Sequence, residues 1–251
     1  MGFSTNRELP ISPFELRPYQ KDAVNSWLAN NGVGLFAMAT GTGKTITATS
    51  AAALLAERLA NSYKSVLILV VCPYLHLVDQ WSSTVKRTGL RITEACESRD
   101  SWMPFMESDF RELQNTQGKI SCVITTFATL SSDNFQSQLG QLSGVEIITI
   151  YDEAHNMGSK ALRGYLSKKA KYRIGLSATP NRWQGSDGTE VLLSYFGKVV
   201  YEISISDAIS REILVPYYYF PVMCPLDEDE TLAYADISDK LGQLLRGRSF
   251  T

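Results

Sequence analysis

The sequence is poor in the side chains that build metal centres. It holds two histidines, His76 and His155, and four cysteines at 72, 96, 122 and 224, with no CxxC pair. A structural zinc site needs four such ligands at close spacing, so none is expected. Scattered cysteines fit a reducing compartment, where they behave as small buried hydrophobes. Charge of one sign is also missing. The formal net charge of −2 excludes a global basic field and confines any nucleic-acid face to a local patch. No apolar run approaches the ~20 residues of a membrane span, and no basic stretch followed by an apolar segment opens the chain. A cytoplasmic, monomeric protein without membrane contact is expected. Internal repeats and low-complexity tracts are absent as well.

What is present is an ordinary globular pattern in 251 residues, 44% hydrophobic and 20% charged. Segments 33–37, 66–71, 120–125, 147–151, 172–176 and 198–203 read as strands. Segments 18–29, 45–60 and 75–86 read as helices. The run 66–71 is wholly apolar, the mark of a strand covered on both faces. Strands separated by helical segments predict a parallel sheet built from βαβ units. The polar stretch 97–117, with Trp102, Pro104 and Phe105, reads as a helix and loop at the sheet edge. Beyond Pro216 the character changes. An aromatic run, Tyr217-Tyr218-Tyr219-Phe220, precedes acidic residues 227–230 and a helical tail, read as the exit from the domain.

Three clusters carry chemistry. The first is Ala39-Thr40-Gly41-Thr42-Gly43-Lys44-Thr45, between an expected strand and an expected helix. That is the context of a P-loop, in which glycines let successive N–H groups face phosphate oxygens and the helix N-terminus adds its dipole. Thr40, Gly41, Thr42 and Gly43 would cradle the phosphates, Lys44 would reach the β- and γ-phosphates, and the Thr45 hydroxyl would ligate Mg²⁺. The strict pattern wants glycine where Met38 stands. The second cluster is Tyr151-Asp152-Glu153-Ala154-His155, after a buried strand. Asp152 would hold Mg²⁺ through its water shell, and Glu153 would orient and deprotonate the attacking water. The third is Leu176-Ser177-Ala178-Thr179-Pro180, where Ser177 and Thr179 offer short hydroxyls that can bond to the acidic box. His155 then reads as a link between the nucleotide and that tripeptide.

Together these boxes resemble motifs I, II and III of the superfamily 2 helicases, in the DEAH-type branch. The resemblance implies an α/β, RecA-like P-loop NTPase domain with a mostly parallel central sheet flanked by helices. It implies ATP and Mg²⁺ as ligands and movement along nucleic acid, DNA before RNA, as the work done. Leu16-Arg17-Pro18-Tyr19-Gln20 is similar to the Q motif, which assigns Arg17 and Gln20 to the adenine edge. Cys72-Pro73-Tyr74-Leu75 with Val78-Asp79-Gln80-Trp81 looks like motif Ia, and Thr125-Thr126-Phe127 like a later polymer-contacting motif. Pro73, Tyr74, Thr125, Thr126 and Arg182 are therefore candidate nucleic-acid contacts, and Trp81 reads as a core anchor. The stretches 196–201 and 214–217 further resemble the subgroup of XPB-like helicases and type III restriction motor subunits, which acts mostly on duplex DNA. Residues 1–222 are expected to form the ATP-binding domain. Residues 223–251 would lead toward a second RecA-like domain, for which no room is seen after Pro221. An RNA-directed motor and an ATP-operated switch that does not unwind stay open as alternatives.

Overall fold

The apolar runs become the strands of one sheet in the computed structural model of the chain, which describes residues 13–178 and 187–247. They are β1 (Val33–Met38), β2 (Ser65–Cys72), β3 (Ile92–Ala95), β4 (Ile120–Thr126), β5 (Val145–Tyr151), β6 (Tyr172–Ser177) and β7 (Val199–Ile203). Their order across the sheet is β3-β4-β2-β5-β6-β1-β7, and every pairing is parallel. The helices are α1 (Pro18–Ala29), α2 (Lys44–Asn61), α3 (Leu75–Lys86), α4 (Arg99–Asn115), α5 (Phe127–Leu130), α6 (Asp133–Gln141), α7 (Asp187–Phe196), α8 (Ile205–Ser210) and α9 (Glu228–Gly247). Seven parallel strands with helices between them are the architecture expected of a RecA-like domain.

Strand β2 explains the layering. Alternate side chains leave a strand on opposite faces. Val66, Ile68, Val70 and Cys72 enter one core with residues of α1, α2 and α3. Leu67, Leu69 and Val71 enter a second core with residues of α4, α6 and α7. Both faces of β2 are covered, so residues 66–72 are apolar, and the buried Ser65 hydroxyl at its start is satisfied by donating to Thr116 O at 2.6 Å. Cys72 and Cys122 are among these buried residues, and burial holds both thiols neutral by pushing their pKa far up. Cys224 differs from that expectation and is exposed.

Two features depart from the sequence pattern. Strand β3 is short and alternates half-buried and buried positions, as an edge strand does, and its Ile-Thr-Glu-Ala sequence carries no apolar run. Helix α4 runs without interruption over 17 residues with Pro104 inside it. Proline there removes one backbone hydrogen bond. The buried face Trp102, Met103, Met106, Phe110 and Leu113 outweighs that loss, so no loop forms.

The chain divides into two compact units, Met1–Leu214 and Val215–Thr251. The second contains the exposed aromatic run and α9. Asp227 caps that helix: its Oδ1 accepts from the Glu230 amide at 2.8 Å, and Glu230 Oε2 accepts from the Asp227 amide at 3.1 Å. Among the described residues no helix is long and apolar enough to cross a membrane.

Candidate active site

In an all-parallel sheet the C-terminal ends of the strands share one edge, and ligands of open α/β sheets bind there. The register brings the chemical clusters to that edge. Ala37 pairs with Ser177, Tyr151 with Gly175 and Val71, and Cys72 with Thr126. The C-terminal ends of β4, β2, β5, β6 and β1 therefore lie in one row, which brings the motifs named above to the same edge.

The turn after β1 depends on backbone conformations that glycine allows. Gly41 has φ +84° and Gly43, the N-cap of α2, has φ +78°. A Cβ on Gly43 would lie 2.6 Å from Gln20 Nε2. Thr42 tightens the turn, its hydroxyl donating to Ala39 O at 2.6 Å. The first-turn amides of α2 have no intrahelical acceptor, so they are available to an anion. Met38, where the strict motif has glycine, is the last residue of β1. Its side chain is fully buried in the core, so a larger residue is tolerated beneath the turn.

Helix α1 braces this turn from the side. The Tyr19 hydroxyl donates to Thr42 O at 2.7 Å, and Gln20 Nε2 reaches Gly43 O at 3.5 Å. Gln20 Oε1 accepts from the Arg17 amide at 3.0 Å, and Pro18 at the first helical position fits the cap. A cleft of about 340 Å³ opens beside the turn, lined by Phe14, Arg17, Gln20, Gly41, Thr42 and Arg87 among others. The Arg87 guanidinium sits 4.5 Å from the Phe14 ring centroid. Tyr19, Phe14 and Arg87 were not singled out from sequence. Only Tyr19, next to Gln20, carried a local signal.

Lys44 Nζ donates to Met38 O at 3.1 Å. Burial pulls its ammonium below the ordinary lysine pKa, and the nearby Glu153 and Asp152 carboxylates oppose that pull. The P-loop lysine and the acidic box, over 100 positions apart in sequence, thus share one electrostatic neighbourhood. Asp152 extends the ladder, its amide donating to Val71 O at 2.8 Å. Asp152 Oδ1 accepts from the Glu153 amide at 3.0 Å, and Oδ2 accepts from Trp81 Nε1 at 2.8 Å. Glu153 adopts φ +44°, the left-handed region that non-glycine residues rarely enter. Such strain costs about 1–3 kcal/mol and turns the chain sharply at the end of β5.

His155 Nδ1 lies 3.3 Å from Glu153 Oε2 and 3.4 Å from Ser177 Oγ. The structure thus brings together one residue of the acidic box and one of the third cluster around a single imidazole nitrogen. Thr179 and Arg182 lie outside the described residues.

At the other loops, Pro73 and Tyr74 precede α3, with Tyr74 exposed and its ring stacked on His76 at 5.7 Å. Thr125 is fully buried and its hydroxyl donates to Ala95 O at 2.7 Å. The Thr126 hydroxyl caps α5 by accepting from the Thr129 amide at 3.2 Å.

Comparison with known proteins agrees with this architecture. The family described as "Type III restriction enzyme, res subunit" matches residues 13–182. A putative helicase of a Sulfolobus islandicus filamentous virus is 25% identical, over 92% of this chain and 40% of its own length. A DNA 3'-5' translocase, XPB2, of Sulfurisphaera tokodaii is 23% identical, over 93% of this chain and 46% of its own. A DNA 3'-5' helicase, XPB, of Kineococcus radiotolerans is 27% identical, over 92% and 38%. The chain thus spans less than half the length of these relatives. Among solved structures, a nuclease-deletion mutant of the type ISP restriction-modification enzyme LlaGI has the same fold at a TM-score of 0.61, 23% identical, over 80% of this chain and 21% of its own. The Sulfolobus solfataricus SWI2/SNF2 ATPase core has it at 0.55, 23% identical, over 76% and 37%.

Proposed function

The chain belongs to the type III restriction enzyme res-subunit family, and on that premise we propose that it is the ATP-binding RecA-like domain of a DNA translocase or helicase. The observation that carries the proposal is the convergence of Lys44, Asp152 and Glu153 at one edge of the sheet. The residues present fit a nucleotide with its metal. Gly43 leaves the turn open where a Cβ would strike Gln20, and the first turn of α2 presents amides to phosphate.

In this reading Thr40, Gly41, Thr42 and Gly43 cradle the phosphates and Lys44 balances their charge. Arg17 and Gln20 border the cleft that takes the base. Thr45 and Asp152 hold Mg²⁺, Asp152 through water. Bound Mg²⁺ supplies charge neutralisation on the phosphate oxygens. Glu153 orients the attacking water and takes its proton, while His155 relays the state of that site to Ser177 and Thr179. Pro73, Tyr74 and Thr126 face the polymer backbone in a sequence-independent way, with Arg182, outside the described residues, as a further candidate contact. Thr125 is fully buried with its hydroxyl spent on Ala95, so it shapes that loop from beneath. Residues 1–222 make up this domain, and 223–251 lead toward a second RecA-like domain of a longer chain. That domain supplies the arginines that stabilise transferring phosphate, worth about 10³–10⁵ in rate where measured. The names of the relatives favour DNA as the polymer.

The test is steady-state ATP hydrolysis by the longer protein with no polymer, single-stranded DNA, duplex DNA and RNA, with Glu153→Gln as control. Stimulation by duplex DNA that vanishes in the control is expected. Stimulation by RNA alone would reassign the polymer, and indifference to all polymers would point to an ATP-operated switch.

A further inference from the structure

The indole N–H of Trp81 is a donor that helix α3 lends to the acidic box. It reaches Asp152 Oδ2 at 2.8 Å across 71 positions of sequence. Trp81 is 1% exposed and Asp152 9% exposed, so water competes little for this bond. The other oxygen, Oδ1, is held by the amide of the adjacent Glu153. A carboxylate with one donor on each oxygen has its plane set, and indole nitrogen has no other hydrogen-bonding option than to donate.

The donor itself is anchored. The Trp81 ring packs in the core with Val70, Cys72, Val78 and Ile124. The next residue, Ser82, donates to Glu94 on β3, and Lys86 pairs with the same carboxylate at 3.1 Å. Helix α3 is therefore pinned to strand β3 by polar contacts on one side and to the end of β5 by Trp81 on the other. A second buried tryptophan offers a contrast. Trp27 donates its indole N–H to a backbone carbonyl outside the boxes, Arg173 O at 3.0 Å.

We propose that Trp81 is a positioning residue for the metal site, fixing the Asp152 carboxylate in the orientation that accepts a divalent cation with its water shell. The proposal rests on the nucleotide-binding reading above. Partners that orient metal-binding side chains typically contribute about 10–100-fold to metal affinity, and a carboxylate freed to rotate loses that advantage.

The experiment is binding of fluorescent ADP to the 251-residue chain, in EDTA and across a Mg²⁺ titration, with thermal melting alongside. Trp81→Phe removes the donor and keeps most of the ring. Benzothienylalanine at position 81 replaces N–H by sulfur at nearly constant shape, and covers the case in which Trp81→Phe fails to fold. Trp27→Phe removes a buried indole donor elsewhere.

The expected result is a Mg²⁺ half-saturation raised about 10–100-fold by both changes at 81 and unmoved by Trp27→Phe, with affinity in EDTA unchanged. An unchanged Mg²⁺ requirement at 81, accompanied only by a lower melting midpoint, overturns the proposal and leaves Trp81 as packing. Equal weakening with and without Mg²⁺ overturns it too, because the whole site has then been disturbed. Wild-type ADP binding that ignores Mg²⁺ overturns this proposal and leaves the nucleotide-site reading standing, whereas no ADP binding with or without Mg²⁺ overturns that reading and this proposal with it.

Discussion

At the turn after β1, function opposes stability at one residue and goes with it at another. Lys44 is held below its ordinary pKa by burial, so its folded-state value lies under the unfolded one. The sign follows from proton binding. Between the two values the unfolded chain binds more protons, and stability rises with pH through that window toward ~10.4. Below the folded-state value both states are charged and the full penalty applies, so it is present at neutral pH. Lys44→Met is therefore expected to melt roughly 1–2 °C higher than the parent at pH 7 without nucleotide, solvent screening trimming the gain, and to lose nucleotide binding. Differential scanning fluorimetry and an ADP titration check both halves. The gap in melting temperature should close as pH approaches 10. Gly43 is the opposite case. At φ +78°, with Gln20 Nε2 2.6 Å from where a Cβ would sit, Gly43→Ala should cost about 1–2 kcal/mol, read by chemical denaturation. It should also weaken nucleotide binding, since the amide of Gln20 has to move.

At the scale of elements, α3 and α4 show how packing overrides local preference. Helix α4 keeps Pro104 because its buried side chains hold it against the sheet. Interior proline carries a cost of up to ~3 kcal/mol in a helix, part of it recoverable here. Pro104→Ala should raise unfolding free energy by about 1 kcal/mol without altering nucleotide affinity, as urea melts would show. The same helix buries Asp109, whose Oδ2 accepts from the Thr93 hydroxyl at 2.6 Å and whose Oδ1 pairs with Arg91 at 2.8 Å. That pairing holds edge strand β3 to α4 and accounts for a strand made of Ile-Thr-Glu-Ala, which hydrophobic periodicity would not reveal. Helix α3 reaches the acidic box through one atom, Trp81 Nε1, while Val78 and Val85 pack in the core and Ser82 bonds to Glu94.

For the whole molecule, ligand binding and folding are linked in the unit that carries the turn. Anything that binds only the folded state stabilises it by about 2.7 kcal/mol at a concentration one hundred times its Kd. For a domain of this size each kcal/mol moves the midpoint by about 2–4 °C. Mg-ADP at that excess should therefore raise the melting temperature by about 5–10 °C, and the Glu153→Gln protein should respond as strongly as the parent if, as proposed, Glu153 acts on water and leaves the phosphates to other residues. A parent-like shift in the variant together with lost hydrolysis in the longer protein would separate binding from chemistry.

The sequence by itself determined the layered α/β plan and the contents of its loops. The wholly apolar run 66–71 marks a strand covered on both faces, and a glycine-rich turn between strand and helix bends as φ +84° and +78° allow. Those are local constraints, written in consecutive residues. Tertiary structure alone decided which side chains complete the site. The meeting of His155 with Ser177 was legible in the boxes, but Tyr19 reaches Thr42 across 23 positions and Trp81 reaches Asp152 across 71. Each depends on where a helix seats on the sheet to within about an ångström, and hydrogen bonds weaken steeply beyond that tolerance. No periodicity encodes such a fit, so Trp81 reads in sequence as one more buried aromatic and in the fold as the donor that sets a carboxylate.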